Sequence, residues 1–377
     1  MKIKAYPFNN SRFSNWHTEV LDTWQYSDFL NHKHWKKGWI SFDCCRYMED
    51  SKILYLGLTS FNADIFYAFD TKKKKFFSTG YEKIKDRYDA KFHRSLEFFE
   101  KDRCLYAAVA QLHDIDRYND APGGAIIRYN PANSHIEKVD IPFPHTYIQS
   151  ICLNQEKGII YGITLMPEKL FSYEISSGRV SDLGLIGSCN DIAQGENIEI
   201  DRHGCVWCGW NILRPWQSSP GPDSHRLCKY NPEIRKISYF NEGLENPCGD
   251  GFVKVEGFFN LNGDMFASGG NGSIYLIDME TGYGHYICTP VKSRKSRLAS
   301  LRMAEDGFAY GIVGKQGNCE LLRFNPVKKT FNLLCNLSIG TEKCWQIHDI
   351  AITPEMTVYA CENDNPYRSG YLWEISL

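Results

Sequence analysis

Two features that mark other classes of protein are missing from this sequence. No apolar run is long enough to span a bilayer, and the first residues, MKIKAYPFNNSRF, lack the apolar stretch of a signal peptide. We therefore expect no membrane partner and a cytoplasmic location. A secreted or periplasmic protein whose signal peptide has been removed is the alternative.

A strong charge of either sign is also missing. The 43 Lys and Arg residues nearly balance the 45 Asp and Glu residues, for a formal net charge of −2. This balance gives no electrostatic reason to expect a nucleic acid partner. The 14 cysteines have no spacing typical of secreted proteins, and Cys152 and Cys361 fall inside strand patterns. Buried free thiols in a reducing compartment are the simplest explanation for these cysteines. As a separate expectation, we predict a monomer.

Helical periodicity is absent over any long window, and a different repeat is present. An apolar or aromatic run, an Asp, Asn or Glu, a short turn and a second apolar run recur seven times. The copies begin at Ile65, Ala125, Leu170, Leu227, Ile274, Leu321 and Tyr371. Each reads as an antiparallel hairpin, and a second hairpin with a polar turn lies upstream of each. Two hairpins make a four-stranded unit, which recurs roughly every 45–58 residues.

This repeat predicts an all-β fold, a seven-bladed β-propeller. The last copy, YLWEISL, stops before its outer strand, and the N-terminal strand MKIKAYPF is available to supply it. Closing the last blade in this way leaves no open edge. Because each blade adds its own core, the prediction is a single domain over residues 1–377.

Motifs for metals and phosphates are weak. Cys205 and Cys208 form C-x-x-C within a strand, and no second pair follows. The Gly-rich SGGNGS segment reads as a strand connection. We expect no required cofactor. A structural Ca²⁺ or another divalent metal stays open, because carbonyl groups in a propeller channel can hold it without a sequence signature.

Candidate site residues gather on one face in this prediction. The links between blades and the loop between the two middle strands open on that face, and loops longer than about twelve residues, as here, tend to be functional. The candidate binding residues there are Arg94, His145, Tyr147, Lys169, Trp210, Arg214, Trp216, Arg297 and His348. Arginines suit carboxylates and tryptophans suit sugar rings, whereas inter-blade ion pairs and core packing are the alternatives.

The hairpin over residues 90–124 carries the candidate acid–base groups. It holds His93 and His113, which we expect at the same end, with His93 across from Ala110. Histidine can take or give a proton near neutral pH, although hydrogen bonds to loop backbone would also explain the pair. Tyr161, in the next blade, is a third candidate if a neighbouring cation lowers its pKa. A core aromatic is the alternative.

The segments FHRSLE, LYAAVAQLH, GGAIIRYNP and IPFPHTYIQSICLNQEKGIIYGIT, followed by LFSYEISSGRVSDLG, resemble the seven-bladed propeller polysaccharide lyases. These include ulvan lyases and the fungal lyase that cleaves rhamnosyl-glucuronate ends. The resemblance implies catalytic roles for His93, His113 and Tyr161. It departs at QGENIEIDRHG, where Glu196 and Asn197 replace a Ser-Arg pair. The arginine role therefore stays open among Arg94, Arg214 and Arg297.

These observations predict a carbon–oxygen lyase that cleaves an acidic oligo- or polysaccharide at a uronic acid by β-elimination. Histidine and tyrosine would provide acid–base catalysis, and an arginine would neutralise the carboxylate. The alternative is a non-catalytic propeller that binds glycan or protein. A metal-dependent lactonase or hydrolase of the six-bladed kind is a third possibility, and the seven repeats argue against it.

Overall fold

The computed structural model describes residues 1–14, 28, 32, 38–61, 63–165, 167–187, 197–211, 225–293 and 295–377. Backbone contacts divide the chain into two compact units, residues 1–148 with 337–377 and residues 149–336. The single-domain assignment stays a prediction. None of the described helices is long and apolar enough to cross a membrane.

The described elements are almost all strands, joined by two single-turn 3-10 helices at Tyr81–Lys83 and Ile115–Arg117. The first seventeen strands are β1 (Lys2–Pro7), β2 (Ser41–Met48), β3 (Ile53–Thr59), β4 (Phe66–Asp70), β5 (Lys75–Ser78), β6 (Asp89–Lys91), β7 (Leu96–Phe99), β8 (Cys104–Ala108), β9 (Ala110–Gln111), β10 (Ile126–Asn130), β11 (His135–Asp140), β12 (Tyr147–Asn154), β13 (Ile159–Leu165), β14 (Lys169–Glu174), β15 (Arg179–Leu185), β16 (Glu199–Ile200) and β17 (Val206–Trp210).

The remaining strands follow in chain order. They are β18 (Arg226–Asn231), β19 (Lys236–Tyr239), β20 (Leu244–Glu245), β21 (Phe252–Val253), β22 (Val255–Leu261), β23 (Asp264–Gly269), β24 (Ile274–Ile277), β25 (Gly284–Cys288), β26 (Arg297–Met303), β27 (Ala309–Lys315), β28 (Asn318–Asn325), β29 (Thr330–Asn336), β30 (Ser338–Ile339), β31 (Glu342–Lys343), β32 (Ile347–Ile352), β33 (Thr357–Glu362) and β34 (Tyr371–Ser376). Their pairings are antiparallel except that of β20 with β25.

The strands form seven four-stranded blades, which confirms the predicted all-β, seven-bladed β-propeller. The first unit holds blade 1 (β2–β5), blade 2 (β7, β8, β10, β11) and blade 7 (β32–β34 with β1). The second holds blade 3 (β12–β15), blade 4 (β16–β19), blade 5 (β22–β25) and blade 6 (β26–β29). Strand β1 pairs antiparallel with β34, from Lys2↔Ser376 to Pro7↔Tyr371, so the predicted closure of the last blade is also confirmed.

The outer hairpin of most blades turns at the acidic or amide residue of the sequence repeat. The Asp70 carboxylate accepts the backbone N–H groups of Lys72 and Lys73, and the Asn325 side-chain oxygen accepts those of Val327 and Lys328. Asn130, Asn231 and Asp278 make the same turn. The repeat is therefore an Asx turn that reverses the chain between two apolar strands.

Apolar side chains pack between neighbouring blades within each unit. In the first unit, Phe66, Phe92 and Ile127 lie in one cluster and Phe42, Leu56 and Leu372 in another, all fully or nearly fully buried. In the second unit, three further clusters lie between successive blades and include Val206, Phe258 and Phe324. Each inner or middle strand thus packs both faces against protein.

Glu374 ties the closing strand to its neighbours. It is 4% exposed, and its carboxylate accepts hydrogen bonds from Lys4 Nζ (3.2 Å), Tyr6 Oη (3.1 Å), Tyr359 Oη (3.2 Å) and Lys74 Nζ. Burial raises the pKa of this carboxyl, whereas hydrogen bonds from the Lys74 and Lys4 ammonium groups lower it. The net effect is a decrease. The charged form is therefore the one that the fold stabilises.

We predict that Glu374→Ala destabilises the protein by about 2 kcal/mol or more, because the two lysines and two tyrosines lose a common buried acceptor. Urea unfolding followed by tryptophan fluorescence measures this change. Glu355→Ala, which removes an exposed partner of Lys52, is the matched control and should be close to neutral. Equal destabilisation by both variants would contradict the assignment.

Candidate functional site

A cluster of buried polar side chains lies on the inner strands of the first unit. We call Asp43, Thr59, Lys91, His93 and His348 the inner cluster. Asp43 is in β2 and His348 in β32, whereas Thr59 ends β3, Lys91 ends β6 and His93 follows β6. Side chains from blades 1 and 7 and from the link that leads into blade 2 thus lie close together.

β-Bulges direct the two central members of the cluster. In β2 the pairing jumps from Phe42↔Leu58 to Cys44↔Gly57, which leaves Asp43 as the extra residue. In β32 it jumps from Ile347↔Glu362 to Asp349↔Cys361, which leaves His348 as the extra residue. A bulge re-aims the side chain of its extra residue, and bulges are frequent beside active sites.

The distances within the inner cluster are short. His348 Nδ1 lies 3.2 Å from Asp43 Oδ1, and Lys91 Nζ lies 3.4 Å from the same oxygen. The Thr59 hydroxyl donates a hydrogen bond to Asp43 Oδ2. The His93 and His348 rings meet edge to face with their centroids 4.8 Å apart. Asp43, His348 and His93 are 0%, 2% and 3% exposed, whereas the Lys91 side chain is 23% exposed. Lys91 therefore connects the cluster to solvent.

Burial raises the pKa of Asp43 to about 6, and Asp364 adds to the increase. The charge of Lys91 and the hydrogen bond from Thr59 act in the opposite direction and do not cancel it. A carboxyl that titrates near neutral pH beside two imidazoles is suited to holding or moving protons.

The two histidines of the 90–124 hairpin do not lie at the same end, which corrects the sequence-based expectation. Strand β6 pairs antiparallel with β9 through Lys91↔Ala110 and Asp89↔Gln111. His93 continues beyond this pairing in one direction and His113 in the other. Ala110 lies across from Lys91 instead of His93. Since antiparallel strands run apart from such a pair, each histidine has its own set of neighbours.

His113 belongs to a second group, the loop group, which consists of Tyr88, His113, Tyr118 and His145. Ring centroids are 5.9 Å apart for Tyr88 and His113, 5.9 Å for His113 and Tyr118, and 5.6 Å for Tyr118 and His145. His113, Tyr118 and His145 are partly exposed. The Arg87 guanidinium lies 5.2 Å from the centre of the Tyr88 ring. The loop group is therefore an accessible aromatic surface with a cation beside it.

Backbone contacts hold the loop group in place. His113 Nδ1 lies 2.9 Å from the Asp114 carbonyl oxygen, and His145 Nδ1 lies 2.8 Å from that of Ala121. Gly123 has a φ of +116°, and a Cβ at this position would lie 2.5 Å from the Phe143 carbonyl oxygen. Only glycine fits there, so residues 121–124 pack directly under the loop that carries His145.

Tyr161 does not have the environment that its predicted catalytic role requires. It is 1% exposed in the core between blades 3 and 4, with its ring 5.9 Å from that of Tyr230. Burial raises the pKa of Tyr161, and the nearby Tyr230 adds to the increase. The structure therefore favours the core alternative for this residue.

Three predicted binding residues of the second unit are engaged with their own or the adjacent blade. Lys169 Nζ lies 2.6 Å from Asp182 Oδ2, and the Arg297 guanidinium pairs with Glu256. Trp210 Nε1 donates to the Phe240 carbonyl oxygen at 3.1 Å, and its ring lies 5.2 Å from that of Tyr239. These contacts match the structural alternatives for the three residues.

The remaining predicted residues are placed as follows. Arg94 is 8% exposed and has a φ of 41° just before β7, and Tyr147 is half-buried at the start of β12. His348 joins the inner cluster. Arg214 and Trp216 lie outside the described residues.

The sequence-based search missed Asp43 and Lys91. Asp43 interrupts the apolar run ISFDCC, and a charged residue inside a buried strand is a signal that could have identified it. No comparable pattern marks Lys91. Among the described residues, no group of three or more His, Cys, Asp or Glu side chains is arranged to hold a metal ion.

Comparison with known proteins identifies the fold but not the family. No family model matches the chain, and no curated protein sequence matches it. A catalytically inactive virginiamycin B lyase from Staphylococcus aureus with quinupristin superposes with a TM-score of 0.64 at 10% identity, over 100% of this chain and 99% of that one. Oligogalacturonate lyase in complex with manganese gives 0.58 at 12% identity, over 90% of each chain.

Propellers of another kind are equally similar. The WD40 repeats of RRP9 give a TM-score of 0.59 at 8% identity, over 90% of this chain and 94% of that one. The chain covers only 38% of a Bacteroides thetaiotaomicron protein chain described as the extracellular domain of a hybrid two component system. At these identities the similarity shows the β-propeller fold alone.

The raised pKa of Asp43 predicts a pH-dependent stability. The unfolded pKa is near 3.8 and the folded pKa about 6, so the folded state binds the proton more tightly. The contribution of Asp43 to the free energy of unfolding is therefore greatest at low pH and declines as the pH rises through this interval. Between about pH 4 and pH 7, Asp43→Asn should gain up to about 3 kcal/mol relative to the wild type.

Urea unfolding at several pH values measures this difference. Other charged or titratable groups also lie around Asp43. Lys91 and His348 lie 3.4 Å and 3.2 Å from its carboxyl oxygen, and the charge of Asp364 adds to the increase in its pKa. Repeating the comparison in a His348→Gln background removes the titration of the adjacent imidazole. Asp250→Asn, at an exposed turn, is the control. A constant difference between Asp43→Asn and wild type over this pH range would rule out the raised pKa.

Proposed function

We propose that this chain is a carbohydrate lyase that cleaves a glycosidic bond at a uronic acid by β-elimination. The inner cluster is the observation that carries the proposal. It combines two imidazoles in ring contact, a carboxyl with a pKa of about 6 and a partly exposed ammonium group. This is the set of groups that removal of a weakly acidic proton next to a carboxylate requires.

Each group has a role in the proposed reaction. Lys91 pairs with the substrate carboxylate and stabilises the negative charge that develops when the C5 proton leaves. One of His93 and His348 takes that proton, and the electron pair forms the C4–C5 double bond as the C4–O bond breaks. The other imidazole donates a proton to the leaving oxygen. Asp43 is a positioning residue, because its carboxylate lies against His348 Nδ1 and orients that ring.

The low exposure of the imidazoles limits the substrate. His93 and His348 are 3% and 2% exposed, so a wide polymer cannot lie across them, and the partly exposed Lys91 is the group of the cluster that a chain end would reach first. Short acidic oligosaccharides are therefore the substrates that we propose. The names of two similar structures show that lyases exist on β-propellers, and this supports the reaction class only as a precedent for the scaffold.

We predict that His93→Ala and His348→Ala each lower the turnover of uronate-containing oligosaccharides by roughly 10²–10⁴-fold, the usual contribution of a general acid or base. The unsaturated product absorbs in the near ultraviolet, so a panel of glucuronate, iduronate and galacturonate oligosaccharides can be screened directly. Substrate binding, measured by calorimetry, should change much less than turnover, because the imidazoles act on the transition state.

His135→Ala is the matched control, since the His135 side chain is 60% exposed on β11 and lies 3.7 Å from Glu137. It should retain wild-type turnover. Absence of an ultraviolet product from every uronate in the panel would reject the lyase. Full activity in both inner-cluster variants would reject the assigned site.

A non-catalytic propeller that binds glycan or protein is the second candidate. The loop group favours it, because Tyr118 and the two histidines beside it form a partly exposed aromatic surface of the kind that stacks on sugars. In this case Tyr118→Ala would weaken binding while no unsaturated product forms with the wild-type protein. The two candidates thus differ in whether the wild-type protein forms an unsaturated product. They also differ in the substitution that impairs the protein, which is His93→Ala or His348→Ala for the lyase and Tyr118→Ala for the binding propeller.

A further inference from the structure

A cleft in the second unit lies beside blade 5, away from the inner strand of that blade. It has a volume of about 710 Å³ and is lined by residues that include Asn246, Cys248, Asn271, Tyr286, Thr289 and Lys292. The short hairpin β20–β21 forms one wall, where β20 pairs parallel to β25 at Leu244↔Gly284. Strand β25 and the segment after it form the other wall. This volume is in the range of sites for small molecules.

The lining is rich in groups that both donate and accept hydrogen bonds. Thr289 Oγ1 lies 2.7 Å from Ser273 Oγ and 3.1 Å from Tyr286 Oη, so three hydroxyl groups form a connected row. Tyr286 is 41% exposed, which leaves one side of an aromatic ring available for stacking. Hydroxyl and amide groups around an exposed aromatic ring suit a sugar.

The cleft also contains a cation. Lys292 is exposed and lines the cleft, and no ion pair between described residues involves it. A single ammonium group beside a row of hydroxyls matches a ligand that has several hydroxyls and one negative charge. Neutral sugars would leave Lys292 unused, and a nucleotide would need more positive charge for its phosphates.

We propose that the blade 5 cleft is a binding site for an acidic monosaccharide or the end of an acidic oligosaccharide, with Lys292 on the carboxylate and Tyr286 and Thr289 on the sugar hydroxyls. The proposal deepens the proposed function by giving the same class of glycan a second place to bind. It is tested by binding alone, so it does not depend on turnover.

Cys248 provides the measurement. It is the exposed thiol among the described cysteines and lies at the tip of the β20–β21 hairpin, on the wall of the cleft. Alkylation of Cys248 by iodoacetamide is followed by peptide mass spectrometry, with and without glucuronic acid, galacturonic acid and glucose. The uronic acids should slow the alkylation of Cys248 at least fivefold at saturation. Equal alkylation rates with and without either uronic acid would overturn the proposal.

Two variants assign the roles. Lys292→Met should weaken uronic acid binding roughly five- to tenfold, the net value of one typical hydrogen bond, and should abolish the preference for uronic acid over glucose. Lys295→Met, an exposed lysine three residues away that does not line the cleft, is the control. A preference that survives Lys292→Met would remove the carboxylate from this site.

Tyr286→Phe removes the tyrosine hydroxyl that lines the cleft. It should weaken sugar binding roughly fivefold while the stability stays close to that of the wild type, because the Tyr286 side chain is 41% exposed. Tyr230→Phe, at a buried tyrosine outside the cleft, should leave binding unchanged. Unchanged binding in Tyr286→Phe would contradict the assigned role. Loss of lyase turnover in His93→Ala with intact protection of Cys248 would show that the two sites are independent.

Discussion

The burial of the Asp43 carboxyl is the constraint on which the arrangement of the first unit depends. A carboxylate removed from water costs several kcal/mol unless cations and hydrogen-bond donors surround it. Thr59 and Lys91 supply these groups from two different strands, and the His348 imidazole lies against the same carboxyl. The bulges of β2 and β32 leave Asp43 and His348 as their extra residues, so the irregularities of the two inner strands coincide with the polar cluster.

The fold could be predicted from the sequence because its rule is local. Each outer hairpin reverses at an Asp, Asn or Glu, and in Asp70 and Asn325 the side chain itself caps the turn. Such a turn requires only a few consecutive residues, so its recurrence was visible and gave the number of blades. The closing strand followed from the same count, because YLWEISL lacked one neighbour and MKIKAYPF had none.

The site was less predictable because it depends on register and on bulges. Placing His93 and His113 together assumed one continuous hairpin, whereas the pairing of β6 with β9 sends them in opposite directions. His348 was identified as a binding residue, but its partner Asp43 was not, although Asp43 is a charged residue within an apolar run. The contact between the two residues could not be predicted, because a bulge leaves no mark in the residue pattern. Tyr161 shows the same limit. In the sequence, a tyrosine at the end of a strand has the same pattern of neighbours whether its side chain lines a pocket or lies in the core between blades, as Tyr161 does.

The difference between a paired and an unpaired cation finally separates the two regions of interest. Lys91 is held by Asp43, so a substrate carboxylate would compete with an internal one, and the proposed binding there would be coupled to the protonation of a carboxyl with a pKa of about 6. Lys292 is exposed and makes no ion pair among the described residues, so the proposed binding there would carry no comparable proton coupling. A site that acts on a uronate gains from the first arrangement, because a proton must move. A site that only holds one gains from the second, because its affinity does not depend on the protonation of a neighbour.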